Sequence, residues 1–187
     1  MRVSSVCLGP LATNCYLIET ASKRILVDPA DASDRLLEFL DGRAIDIVLL
    51  THGHFDHIGG AWAFDNAETM MHENDLPFVD HVHPDHPPID RFLAEGDEIL
   101  EGLTVMHMPG HSPGSLVVRF EGGLIVGDLL FENSIGRTDL PGGDGQAMQD
   151  SLRRIVEVDG DPRVYPGHGP VTTLEVERRS NPYLLML

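Results

Sequence analysis

The chain has 187 residues, 42% apolar and 23% charged, a balance that supports one well-buried core and excludes a disordered or fibrous protein. One domain over residues 1–187 is therefore expected. Against 30 acidic side chains stand 13 basic ones, and the resulting formal net charge of -17 repels phosphate backbones and anionic bilayers, so nucleic acid and membrane partners are not expected.

The runs Asn14 to Glu19 and Arg24 to Pro29 are short, rich in Ile, Leu and Val, and separated by Thr20 to Lys23, the pattern of a β-hairpin. Cys7 and Cys15 fit neither a disulfide framework nor a paired zinc-ligand spacing, and buried free thiols are expected. Gly9, Pro10 and Asn14 interrupt the start before any leader-like apolar core, and no run of about 18 apolar residues follows, so a cytoplasmic protein is expected. Leu36, Leu37 and Leu40 recur at helical spacing behind Ser33, a plausible N-cap, and the apolar run Ile45 to Thr51 is a buried strand. A helix beginning around Asp56 or His57 and ending before Asn66 leads to a strand at Glu68 to His72. Val79 to Pro88, with three histidines and three prolines, is predicted as a loop. Strands are predicted at Thr104 to Met108, Ser115 to Phe120 and Leu124 to Phe131, then a Gly-rich loop from Gly136 to Gly145 and a helix at Gln149 to Val158. A strand at Arg163 to Tyr165 precedes a final short helix. Strands interleaved with helices in both halves predict an α/β protein with two stacked sheets and helices outside.

The segment Thr51-His-Gly-His-Phe-Asp-His57 carries the most information: His52, His54, Asp56 and His57 follow directly on a buried strand. A strand fixes the backbone, and the loop beyond its end can bend several side chains toward one point. Imidazole and carboxylate without cysteine are ligands for zinc, iron or manganese, and the lack of cysteine argues against a closed structural zinc site. His111, Asp128 and His168 each stand after an apolar strand, flanked by Gly or Pro, and the repeated arrangement points to a shared site. Asp28 at the end of Leu26-Val-Asp-Pro29 is open between a simple turn and support of a ligand. Arg137 and Asp139 are open between substrate contact and mutual pairing. His72, Asp75, His81, His83, His86 and His107 are assigned surface or packing roles, and Trp62 a core role; a lid over the site is the reading preferred for the His81 to His86 stretch.

With its His-x-His-x-Asp-His segment and the later His111, Asp128 and His168, the chain resembles the metallo-β-lactamase superfamily. Within it the sequence is similar to the single-domain branch related to hydroxyacylglutathione hydrolases, also called glyoxalase II, from Asn14-Cys-Tyr-Leu-Ile18 to Asn181-Pro-Tyr-Leu184. The resemblance implies an αβ/βα sandwich and two divalent ions, zinc first and iron or manganese as alternatives. One metal would be held by His52, His54 and His111 and the other by Asp56, His57 and His168. Asp128 would bridge both, and Asp56 would also orient the nucleophile. It implies a hydrolase acting on a small-molecule substrate, a thioester such as a hydroxyacylglutathione, through a metal-bridging hydroxide. The C-terminal helical extension of two-domain glyoxalase II enzymes does not follow in this sequence, which leaves other thioesters and lactones open. The alternative is a persulfide dioxygenase using one iron bound by residues matching His52, His111 and Asp128.

Overall fold

Short apolar runs punctuated by turn residues pair into two six-stranded mixed sheets, one in each of two units, Met1–Leu93 and Ala94–Leu187. The computed structural model describes residues 1–187.

In the first unit, β1 (Arg2–Leu8), β2 (Thr13–Glu19) and β3 (Arg24–Val27) form an antiparallel meander. β4 (Ile47–Leu49), β5 (Glu68–Met71) and β6 (Arg91–Phe92) extend it in parallel. The expected hairpin is present. β1 and β6 were not anticipated, because a partly exposed run such as Arg-Val-Ser-Ser-Val becomes a strand through its register with β2, Arg2 against Glu19 to Leu8 against Thr13, rather than through its own pattern. Between β3 and β4 the chain crosses over through α1 (Asp34–Leu40), whose Leu36 and Leu40 join the apolar core while Leu37 is exposed. Ser33 is the N-cap, although its side chain makes no cap bond.

Two helices depart from the sequence expectation. The helix expected to reach Asn66 is only α2 (Phe55–Ile58), followed by a 3-10 turn at Ala61–Ala63. Gly59 and Gly60 stop it: a Cβ there would lie 2.5 Å from the Ala30 carbonyl oxygen and 2.4 Å from that of Asp31, so the backbone lies flush on the 29–31 turn. In the opposite sense, part of the predicted Val79 to Pro88 loop is helical, as α3 (Leu76–Val82) with Pro77 in its first turn, where a missing N–H costs nothing. The irregular segment starts only at His83. His86 stacks on Trp62 with ring centroids 5.1 Å apart and its Nε2 lies 3.0 Å from Asp80, so the segment expected as a lid makes contacts to Trp62 and α3.

In the second unit, β7 (Glu98–Leu100), β8 (Leu103–His107), β9 (Leu116–Phe120) and β10 (Gly123–Gly127) run antiparallel. Next to β10, β13 (Arg163–Pro166) lies parallel, and β14 (Thr172–Thr173) closes the sheet. The single strand expected over Leu124 to Phe131 is broken: β10 ends at Gly127, where φ is 49°, and a separate hairpin of β11 (Leu130–Phe131) and β12 (Ser134–Ile135) follows. The break leaves Asp128, which stays buried, just past a strand end instead of within the ladder. Helix α4 (Gly145–Val156) starts ahead of the predicted Gln149, because Asp144 caps it by accepting from the Gln146 and Ala147 amides. On α5 (Leu174–Ser180), the buried Glu177 accepts from the Asn133 amide, the Thr172 hydroxyl and the Asn181 side chain. Asn181 in turn donates to the Phe131 and Ser134 carbonyls, tying the β11–β12 hairpin to the end of α5. No helix of the protein is long and apolar enough to cross a membrane.

Candidate metal centre

The parallel strands β3, β4 and β5 lie side by side, and each delivers polar groups just past its carboxyl end: Asp28, the Thr51 to His57 loop, and Asp75. Ligand sites in open α/β sheets form at such ends because neighbouring loops emerge there together. Asp28 turns on a left-handed backbone (φ 50°) that brings its carboxylate beneath the histidine loop. Its Oδ1 accepts from the Thr51 amide at 2.7 Å and its Oδ2 from the Thr51 hydroxyl at 2.6 Å. Having given its proton to Asp28, the Thr51 oxygen is left to accept, so the His52 Nδ1 3.0 Å away is the protonated nitrogen of that ring. His57 Nδ1 likewise donates to Asp28 Oδ2 at 2.9 Å. One carboxylate thus fixes two imidazoles as Nδ1–H tautomers, which places the lone pair of each on Nε2, the nitrogen able to bind an ion.

The remaining candidates of this unit gather around them. The rings of His52 and His54 are 4.7 Å apart between centroids and those of His52 and His57 4.1 Å. Asp56 Oδ2 lies 3.5 Å from His57 Nε2 and accepts from the Thr13 hydroxyl at 3.2 Å. Ligand atoms of Asp28, His52 and His57 lie within 4.8 Å of one another. His57 is fully buried, His52 nearly so, while His54 and Asp56 are half-buried.

The second unit has a corresponding group. Asp128 Oδ2 stands 3.5 Å from His111 Nε2 and 3.5 Å from His168 Nε2, a carboxylate between two imidazoles. His111 Nδ1 donates to the Arg137 carbonyl at 2.8 Å, so here too the lone pair lies on Nε2. Gly136 makes this possible: a Cβ there would come within 1.8 Å of the Asp128 carbonyl oxygen and 3.1 Å of His111 Nδ1. Phe131 meets the His168 ring edge-on at 6.0 Å. Imidazoles with the lone pair fixed on Nε2, beside carboxylates, are the donor set that divalent zinc, iron or manganese prefers, and in both units the residues fit such ions.

Two open readings resolve. Asp28 both turns the chain and bonds to Thr51 and His57, and Arg137 pairs with Asp139 through two 2.9 Å bonds. The Arg137 bonds hold the Asp139 carboxyl down at about 2, and the carboxylate raises Arg137 in return. Cys15 is a buried free thiol as expected, whereas Cys7 is only half-buried. Burial, and then the charges of Asp28 and Asp31, push the Cys15 thiol well above its usual value, keeping it protonated and inert. Sequence reasoning gave Thr51 and Thr13 no role and Asp75 only a surface or packing one, whereas Asp75 is fully buried and accepts from the Gly53 amide. Thr51 could have been found as the hydroxyl next to the first histidine; the signal for Asp75 was confined to its place before Leu-Pro at a helix start.

The model of the metallo-beta-lactamase superfamily matches residues 8–168 of the chain, across most of both units. Hydroxyacylglutathione hydrolase GloC of Haemophilus influenzae is 30% identical, with 98% of each chain covered. Among solved structures, that of TTHA1623 in a di-iron-bound form is 40% identical with a TM-score of 0.88, covering 97% of this chain and all of that one. ETHE1 from Myxococcus xanthus is 27% identical with a TM-score of 0.84, covering 97% of this chain and 84% of its own.

Proposed function

This chain belongs to the metallo-β-lactamase superfamily and has its fold, a metal-dependent enzyme of the metallo-hydrolase type, and on that premise we propose that it hydrolyses a thioester such as a hydroxyacylglutathione. His52, His54 and His111 would hold one divalent ion, Asp56, His57 and His168 the other, and Asp128 would join them, with the whole chain acting as one domain. Zinc is the proposed metal, and a small molecule the proposed partner. Likeness to a hydroxyacylglutathione hydrolase over the full length of both chains supports the substrate class.

The observation that carries the two-metal reading is the treatment of His57 and Asp56. A site for one ion would not need them as ligands, yet His57 is fully buried with its Nδ1 committed to Asp28 at 2.9 Å, and Asp56 is held by Thr13 at 3.2 Å. Two divalent ions, when bound, supply an activated water and electrostatic stabilisation of the oxyanion and of the departing thiolate. Asp56 would orient the attacking water by accepting its hydrogen bond. Asp28 holds His52 through Thr51, and His57 directly, against rotation while the acyl carbon gains a C–O bond and loses its C–S bond, the proton of water passing to the thiolate. A mononuclear-iron persulfide dioxygenase is the second reading, favoured by the likeness to ETHE1, while the likeness to a di-iron-bound structure supports iron as the metal in either reading.

The two separate on ligand dependence. Rates on S-lactoylglutathione and oxygen uptake on glutathione persulfide are measured for wild type and for His52→Ala, His111→Ala, Asp128→Ala, His57→Ala and His168→Ala, with metal content assayed in each. Hydrolysis that collapses with His57→Ala and His168→Ala nearly as far as with His52→Ala is expected. Oxygen uptake surviving loss of His57 at a cost of roughly 10- to 100-fold or less, with no wild-type thioester cleavage, would overturn the hydrolase.

A further inference from the structure

Asp75 is a fully buried carboxylate outside the ligand set. It is the last residue of a 3-10 turn (Glu73–Asp75) that runs straight into α3, on helical backbone (φ -99°, ψ -2°), and its side chain makes no cap bond to that helix. Its Oδ2 accepts instead from the amide of Gly53 at 2.8 Å, and Gly53 is the residue between His52 and His54. The contact is tight: a Cβ at position 53 would lie 2.7 Å from the Asp75 carbonyl oxygen and 3.1 Å from Phe78 Cβ. One turn along, the Phe78 ring meets the His54 ring edge-on, with centroids 5.5 Å apart at 78°. The first turn of α3 is thus a bed on which the apex of the histidine loop rests, with Asp75 accepting at its centre.

We infer that Asp75 is a positioning residue for metal binding: its hydrogen bond to Gly53 sets the backbone from which His52 and His54 diverge, a role that rests on the metal centre proposed above. The physical reason is geometric. Two ligands separated by one glycine hang from a backbone that glycine leaves freer than any other residue does, and an acceptor at the intervening amide removes that freedom before the ion arrives.

The test measures zinc affinity by chelator competition, and the visible absorption of the cobalt-substituted protein, for wild type and for Asp75→Asn, Asp75→Ala and Asp75→Ser. Asparagine keeps an acceptor at the right distance, alanine removes it, and serine still suits a helix N-cap while its hydroxyl falls short of Gly53. Zinc affinity of the alanine and serine variants is expected to drop roughly 10- to 100-fold, the range for groups that orient ligands, with an altered cobalt spectrum, and asparagine to restore most of both. Metal-stripped protein is followed by circular dichroism, and if the alanine variant does not fold, the serine and asparagine variants decide. Wild-type affinity in the serine or alanine variant overturns the role, as does asparagine being as weak as alanine. Failure of wild type itself to bind zinc or cobalt would sink the centre and this role with it, a result distinct from wild-type binding that the variants leave unchanged.

Discussion

A carboxylate that accepts three hydrogen bonds from one loop does more than end a strand. Asp28 receives the Thr51 amide, the Thr51 hydroxyl and His57 Nδ1, and through Thr51 it orients His52 as well. Asp28→Ala leaves these buried donors unsatisfied, at about 1–3 kcal/mol for each one stranded, and puts alanine on a left-handed backbone that aspartate and asparagine tolerate better. We expect reduced thermal stability together with a roughly 10- to 100-fold loss of zinc affinity. Asp28→Asn, which suits the backbone but presents an N–H toward one of the donors, should recover stability ahead of affinity. Calorimetry and chelator competition on the same samples check this, and unchanged zinc binding in Asp28→Ala would refute the tautomer-fixing role. Local sequence offered Asp28 only as an Asp-Pro turn with support of a ligand as an equal option, because the partners it serves lie more than twenty residues away.

At the scale of the element, glycine decides where helices stop and where the ligand loops lie. Gly136 packs against Asp128 and the ring of His111 with no room for a methyl group, whereas a Cβ on Gly145, the first residue of α4, would meet only the Thr138 hydroxyl at 3.8 Å. Gly136→Ala should therefore displace the loop whose Arg137 carbonyl holds His111, costing about 1–3 kcal/mol of overpacking and weakening zinc binding. Gly145→Ala should leave binding intact and stabilise the protein by up to about 1 kcal/mol. Thermal denaturation and zinc titration of the two variants test the contrast, and equal behaviour would contradict it. The same residues mark what was legible in the sequence. The β2–β3 hairpin, α1, β4 and α4 were visible in apolar periodicity. The early stop of α2, the break after Gly127 and the helix hidden in the Pro- and His-rich stretch were not, since each depends on what the backbone meets in space. In the histidine loop the ligands were plain from their crowding, but the residues that aim them, Thr51 and Asp75, carry no pattern of their own.

Across the whole molecule, a formal charge of -17 sits on a chain whose recognisable chemistry is a set of imidazoles and carboxylates, and clustering acidic groups around cations is the arrangement in which such charge is tolerated locally. Each unit provides its own part: four candidate ligands from the loop after β4, and a carboxylate flanked by two histidines in the second. The central claim is that these seven residues bind two divalent ions rather than one. Protein stripped by chelator and then titrated to saturation with zinc should carry, by elemental analysis against a protein concentration from amino-acid hydrolysis, a metal ratio approaching two, falling toward one in His57→Ala. A wild-type ratio that stays near one at saturating zinc would contradict the account.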